Sequence, residues 1–241
     1  MQFLKDAKTI NFNEKEHIYT LESQKFISVT SFIDTFANKF DPDGSILKRK
    51  AESLQITPDE LQKQWDANRD EASEFGSKVH ASIEYYLNTG KIRRNECKDI
   101  ITNFKDSYRF DGEIFAETVL FDRELGICGT ADLIQVLDNN VIQVHDFKTN
   151  KKPLTDFSYG KKMLHPIEHL NDSKLNKYFL QISLYLYLLS SKYGYEIGKE
   201  NYIFWLNRKK EQFERIPVEL KMNEVFDMIA LWMYNHQTTN E

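Results

Sequence analysis

The chain has 241 residues, 41% hydrophobic and 13% aromatic, with 29% charged and a formal net charge of −5. That is enough apolar material to bury a core without covalent staples, and it excludes a disordered chain, a collagen-like repeat and a disulfide-framed miniprotein. The two cysteines, Cys97 and Cys128, form no C-x-x-C pair, which excludes a four-cysteine zinc site or iron–sulfur cluster.

No apolar run reaches the roughly 18–20 residues of a membrane span, and the start of the chain lacks the apolar stretch of a secretory signal. An intracellular, cytoplasmic setting of bacterial or phage origin is expected, with no membrane partner. The net negative charge hides separate basic clusters at Lys48-Arg49-Lys50, Lys91 with Arg93-Arg94, Lys148 with Lys151-Lys152, Lys161-Lys162 and Arg208-Lys209-Lys210. Converging on one face, they would form a phosphate-binding rim; scattered, they are solvated loop tips.

Taken in chain order, residues 9–13 and 17–21 alternate about a polar turn at 13–16, and 25–29 adds a third strand. Ser28-Val29-Thr30-Ser31 sets hydroxyl caps ahead of Phe32, Ile33 and Phe36 at helical spacing. Asp41-Pro42-Asp43-Gly44 is a break, and a helical stretch follows from Ser45. A further helix, or pair of helices, starts at Thr57-Pro58-Asp59-Glu60 with a cap and an early proline, and runs to Gly90.

The period then changes. Residues 116–122, 129–137 and 141–147 read as strands, the last two joined by a tight turn at Asp138-Asn139-Asn140. A loop around Pro153 and an irregular segment to residue 172 precede a strongly apolar helix over 174–192. Strands at 202–206 and 213–218 form a hairpin, and an amphipathic helix covers 223–234. This order predicts an α/β fold, with a mixed central sheet flanked by helices, an N-terminal β-hairpin and an inserted helical lobe. One domain is expected over 1–241: a β-rich segment and helix at 1–42, the lobe at 43–112, the core at 113–220 and a terminal helix at 221–241.

The densest chemistry lies in Gly129-Thr130-Ala131-Asp132 and Val144-His145-Asp146-Phe147-Lys148-Thr149. Alternation along a strand points Asp146 and Lys148 to one side and Phe147 to the other. Pairing through the asparagine turn brings Asp132 close to Asp146, so two carboxylates and an ammonium meet in one cleft at a sheet edge. Adjacent carboxylates repel unless a cation lies between them, and hard oxygen ligands select Mg²⁺ or Mn²⁺. A lysine beside such a cation is expected to have a lowered pKa and to orient or deprotonate water, a combination suited to phosphodiester hydrolysis. Alone, the pair would read as an ordinary surface ion pair, but it ends the apolar run 142–147, where an unpartnered charge is costly.

Two helical constellations join it. Gly76 and His80 lie one turn apart, so glycine leaves a gap beside an imidazole able to supply a nitrogen to a metal. Gln181 and Tyr185 have the same spacing on an otherwise apolar helix, where the amide needs a partner.

The succession Gly76-x-x-x-His80, Gly129-x-x-Asp132, Asp146-x-Lys148 with Thr149, and Gln181-x-x-x-Tyr185 resembles the RecB-type branch of the PD-(D/E)xK nuclease superfamily. With Ser28-Val29-Thr30 and its helix, it is similar to the phage and mitochondrial single-strand DNA exonucleases of that branch. The resemblance covers about residues 28–192. It implies a restriction-endonuclease-like core, with Asp132, Asp146 and Lys148 catalytic and a metal held by His80, Asp132, Asp146 and the Phe147 carbonyl. Gln181, Tyr185, Glu117 and Thr149 would border the site and position DNA. The implied activity is a Mg²⁺- or Mn²⁺-dependent DNA exonuclease acting on single-stranded ends in replication, recombination or repair, without the iron–sulfur cluster of some members. The alternatives are a structure-specific endonuclease and a non-catalytic DNA-binding module, the latter disfavoured by the intact carboxylates and lysine. Trp65, Phe75, Tyr85 and Tyr86 in the lobe are either base-stacking surfaces or core.

Overall fold

The computed structural model describes residues 1–13, 18–41 and 44–237. Three short strands, β1 (Asn11–Asn13), β2 (Ile18–Leu21) and β3 (Gln24–Ser28), follow a helix that the sequence pattern did not signal, α1 (Gln2–Ala7). Helix α1 is a single turn and a half, anchored by Phe3, which is fully buried against Phe115, Tyr193 and Tyr195. Tertiary packing, not local periodicity, holds a helix this short. Residues 14–17 lie outside the described residues, and with them most of the expected polar turn; Pro42 and Asp43 in the expected break do too.

Helix α2 (Val29–Asp34) begins where Ser28 Oγ accepts the Ser31 amide. Helices α3 (Ser45–Leu54) and α4 (Pro58–Thr89) follow, α4 as one unbroken rod of 32 residues. Its start is a capping box: Thr57 Oγ1 accepts from Glu60 N at 3.2 Å while Thr57 N donates back to Glu60 at 2.9 Å. Gly90, at φ +68, closes it. Helix α5 (Lys98–Ser107) completes the lobe.

The sheet proper comprises β4 (Glu113–Asp122), β5 (Ile127–Val136), β6 (Val141–Lys148), β7 (Glu196–Ile197), β8 (Tyr202–Asn207) and β9 (Gln212–Pro217), with α6 (Lys174–Tyr193) and α7 (Met222–Gln237) between and after them. Together with β1 to β3 it has nine strands in the order β1-β2-β3-β5-β6-β8-β9, β4 pairing β5 and β7 pairing β6. The pairings are mixed: β3–β5, β6–β7 and β6–β8 are parallel and the others antiparallel. Helices cover both faces, as the patterning predicts. On one side α1, α2, α6 and α7 pack on Ile134, Val144 and Ile203; on the other, Val79, Ile83, Ile101 and Phe104 of α4 and α5 pack on Leu133, Phe147 and Phe204. Strand β6, VIQVHDFK, is buried on both faces although half of its residues are polar, so Gln143, His145 and Asp146 are buried with it. Among the described residues no helix is long and apolar enough to cross a membrane. Both cysteines are buried and free.

One feature of the topology places the site. Strand β3 pairs with β5 at Ile127 and Cys128, and β6 pairs with β5 from Leu133 to Val136, so along one side of β5 the residues from Gly129 to Asp132 belong to neither ladder. The sheet forks there. The fork lies at the middle of the sheet, because β6 also carries β8 on its far side, and this corrects the expected position at a sheet edge.

Candidate metal centre

Where β6 leaves β5, the backbone of Phe147 is completed by side chains. Asp132 Oδ2 accepts the Phe147 amide at 2.7 Å, and His80 Nε2 lies 3.0 Å from the Phe147 carbonyl oxygen. The carbonyl expected among the metal ligands is thus hydrogen-bonded to an expected neighbour ligand. With Nε2 donating, Nδ1 is the ring nitrogen that faces Glu117 Oε1 at 3.4 Å and Asp132 Oδ2 at 3.6 Å, and it offers a lone pair there once its proton is lost.

Among the described residues these three form a group that could hold a metal ion: one ligand atom each from His80, Glu117 and Asp132 lies within 4.8 Å of the others. They come from α4, β4 and β5, elements brought together only by the folded sheet. Glu117, expected only to position DNA, therefore lies among the candidate ligands. Its backbone is unusual for a strand, at φ +45. The β4–β5 ladder passes from Ala116↔Leu133 to Thr118↔Ala131 and skips the Glu117–Asp132 step. A left-handed non-glycine residue costs about 1–3 kcal/mol, and such strain gathers where a side chain must be aimed.

Asp146 stands beside this group in a different setting. It is 1% exposed; Gln181 Nε2 donates to its Oδ1 at 3.1 Å, and Lys148 Nζ lies 2.6 Å from its Oδ2. Its Oδ2 is buried and meets only the Lys148 ammonium, an ion pair without hydrogen-bond geometry. This paired carboxylate stands beside two further carboxylates and an imidazole, and a carboxylate oxygen keeps lone pairs for a cation in addition to the ammonium. The residues present fit a divalent cation with oxygen preference.

The electrostatics follow from burying like charges together. Burial raises the Asp132 carboxyl and the nearby Glu117 adds to this, while His80 and Lys148 pull it down. Burial pushes Asp146 up against the pull of Lys148, and it settles at about 6. Burial works to deprotonate His80, but Asp132 and Glu117 outweigh it and hold the imidazole at about 9. Lys148, expected to be lowered beside a cation, sits here between carboxylates. Burial alone would depress it, yet Asp146 and then Asp132 hold it well above the ordinary lysine range.

The remaining motif residues act inside the protein. Gln181 is 6% and Tyr185 3% exposed. Gln181 joins Asp146 to Lys148, whose Nζ is 3.5 Å from Oε1, and Tyr185 donates to the Thr130 carbonyl at 2.8 Å, inside the fork. A Cβ at residue 129 would lie 2.8 Å from that phenol oxygen, so Gly129 is the space into which Tyr185 fits. The gap at Gly76 is likewise taken by Thr149, whose Oγ1 would meet an added Cβ at 3.2 Å. Arg208 caps the Thr149 carbonyl at 2.7 Å and lies over Phe75, so one of the basic clusters is partly structural. Trp65 packs edge-on to Phe40, Tyr85 lies under Arg93 and Tyr86 meets Phe104.

Tyr178 was missed. Its ring carries Lys148 Nζ at 4.4 Å, and its hydroxyl donates to Asn150 Oδ1 at 3.3 Å. Its place one helical turn before Gln181 was a usable signal.

No protein-family model matches the chain, and no curated protein matches it. Among solved structures it is similar to SSO0001, at 14% identity and a TM-score of 0.43, over 98% of this chain and 82% of that one. It is also similar to a structure named "Putative exonuclease" from Eubacterium rectale, at 13% identity and a TM-score of 0.37, over 87% and 79%. Both likenesses are too distant to carry a function across.

Proposed function

We propose that this chain is a metal-dependent nuclease that hydrolyses DNA, as an exonuclease on single-stranded ends, built as one domain over 1–241 on a restriction-endonuclease-like core of the RecB type. The observation that carries the reading is the meeting of His80, Glu117 and Asp132 with the Asp146–Lys148 pair in the fork of the sheet. Four acid or imidazole groups and an ammonium, mostly buried, are costly to gather and serve little purpose for stability alone.

His80, Glu117 and Asp132 would hold the ion, with the Lys148-paired Asp146 carboxylate beside them. Mg²⁺ or Mn²⁺ bound there supplies neutralisation of the phosphate and an acidified water. Lys148, kept charged by the carboxylates, acts as a fixed cation toward a non-bridging phosphate oxygen and donates to the attacking water. It cannot be the base while Asp146 remains ionised beside it. Gln181 fixes Asp146 in rotamer, and Tyr185 holds the Thr130 carbonyl and so the strand that bears Asp132. Buried as they are, Gln181 and Tyr185 position protein groups and do not reach DNA.

The test is digestion of linear single-stranded DNA with Mn²⁺ or Mg²⁺, labelled at one end and blocked at either end in turn. Stepwise release of mononucleotides from one free end is expected. Cuts in circular single strands would assign an endonuclease instead, and no cleavage of any DNA with either metal would remove the reading.

A further inference from the structure

Directly after Lys148 the chain enters a groove of about 460 Å³, lined by Asn150, Lys151, Lys152, Phe157, Tyr159 and Lys174 among others. Three lysines face it, and no acidic side chain among the described residues lines it, in a protein whose net charge is −5. Phe157 is 63% and Tyr159 88% exposed, and their rings stand edge to face with centroids 4.5 Å apart. Two aromatic rings presented to water on a loop are not core.

The loop that carries them is held firmly from below. Asp156, between the groove wall and Phe157, accepts from Ser173 Oγ at 2.7 Å and from the side-chain amides of Asn176 and Asn171 at 2.8 Å each. Ser173 is also the cap of α6, so the loop is tied to the helix that carries Tyr178 and Gln181. At the head of the groove, Trp205 Nε1 donates to the Asn150 carbonyl at 2.9 Å, and Tyr178 holds the Asn150 side chain. A fixed line of groups thus runs from Lys148 through Asn150 to the aromatic pair. Of the lysines, Lys151 meets Glu71 at 3.1 Å in a half-exposed pair of the kind that costs little to open. Lys152 and Lys174 have no ion-pair partner among the described residues.

We infer that this groove takes an unpaired nucleic-acid strand, its phosphates passing Lys151, Lys152 and Lys174 and its bases stacking on Phe157 and Tyr159, and leads it to Lys148. The chemistry singles out that occupant. Lysines alone attract any polyanion, but exposed rings beside them recognise a polyanion that also offers flat faces. A duplex hides those faces within its own stack, so the rings select the single strand. This deepens the nuclease reading and rests on it for the direction of the strand toward Lys148, whereas binding itself can be measured separately.

The experiment measures anisotropy of a labelled oligothymidylate and of a blunt hairpin duplex without divalent metal, then cleavage of the same oligothymidylate with Mn²⁺. Wild-type protein is expected to bind the single strand at least about tenfold more tightly than the duplex. Phe157→Ala with Tyr159→Ala should lose about tenfold or more of that binding, from stacking worth that much per base. Phe157→Tyr with Tyr159→Phe should retain it. Removing Lys152 and Lys174 should flatten the salt dependence by about 0.7 per lysine. Both rings are exposed, so melting temperature should not move. Equal binding by the alanine variant overturns the groove, as does equal displacement of the strand by poly-glutamate, while wild-type cleavage in that case leaves the nuclease reading standing. Ring-dependent binding without any cleavage supports the groove and removes the nuclease reading.

Discussion

Gly129 and Tyr185 are two halves of one fit: the phenol oxygen occupies the space where a residue-129 Cβ would stand, 2.8 Å away, and Val29 closes the same space at 2.9 Å. The hydroxyl then reaches the Thr130 carbonyl. Gly129→Ala should therefore destabilise the fold by about 1–3 kcal/mol through overpacking. Tyr185→Phe removes the oxygen that clashes, so the double variant should cost less than the sum of the single ones. Urea unfolding of the four proteins measures this, and strict additivity would contradict the fit.

The candidate ligands should respond to metal in the absence of any substrate. With Mn²⁺ at about a hundred times its dissociation constant, the melting temperature should rise by roughly 5–10 °C. His80→Ala, Glu117→Gln and Asp132→Asn should each shrink that rise. A full rise in Glu117→Gln would remove Glu117 from the set.

Asp146→Asn and Lys148→Ala should each lower cleavage by on the order of a hundredfold to a thousandfold, the size of losing one preorganised group at a developing charge. Lys148→Ala leaves Asp146 without its counter-ion, but a carboxyl already held at about 6 can take up a proton, so the fold should survive. Cleavage rates alongside circular-dichroism melts separate the two effects. A folded Lys148→Ala protein with unaltered rate would exclude the lysine from catalysis.

Gln181→Leu should reduce turnover by about tenfold to a hundredfold through a misplaced Asp146 while leaving single-strand affinity unchanged. Affinity that falls with turnover intact would mean that Gln181 touches DNA after all.

His145 provides a pH signature on the opposite side of β6 from Asp146. Tyr202 N donates to its Nδ1 at 3.2 Å, so Nε2 carries the proton and donates to Gln135 at 3.0 Å. Burial, helped by the Arg215 charge, holds the imidazole down to about 3, against an ordinary 6.5. Between those values the unfolded chain binds a proton that the folded protein refuses. The stabilisation is complete above about pH 6.5 and is lost as pH falls toward 3, at up to about 1.4 kcal/mol per unit. His145→Gln should be less stable than wild type at pH 7.5 yet lose less between pH 7 and 4.5. Parallel stability curves for the two proteins would show that the imidazole titrates normally.

Much of the architecture was legible because local signals agreed with the final packing. The Thr57-Pro58-Asp59-Glu60 start, the asparagine turn before β6 and the apolar run of α6 all sit where pattern places them. Helix α1 and strand β7 were not legible, since each is short and depends on partners far along the chain. The grouping of Asp132, Asp146 and Lys148 could be read from strand alternation and a hairpin. The inclusion of Glu117 could not, because it depends on an interrupted ladder step and a left-handed backbone that no spacing announces. How strongly the carboxylates hold Lys148 charged was not legible either: spacing shows that a carboxylate is near but not how deeply both are buried.

Helix α4 has a consequence for motion. Its last third is clamped, with Val79 and Ile83 at 0 and 1% exposure and His80 on the Phe147 carbonyl, whereas residues 62–74 include no buried side chain. The helix from Pro58 to His80 makes an arm of about 33 Å, so a tilt of about 10° at the clamp sweeps the tip by about 6 Å. Because α4 is one unbroken rod, such a tilt must carry His80 with it, so the far end of the lobe and a candidate ligand move together.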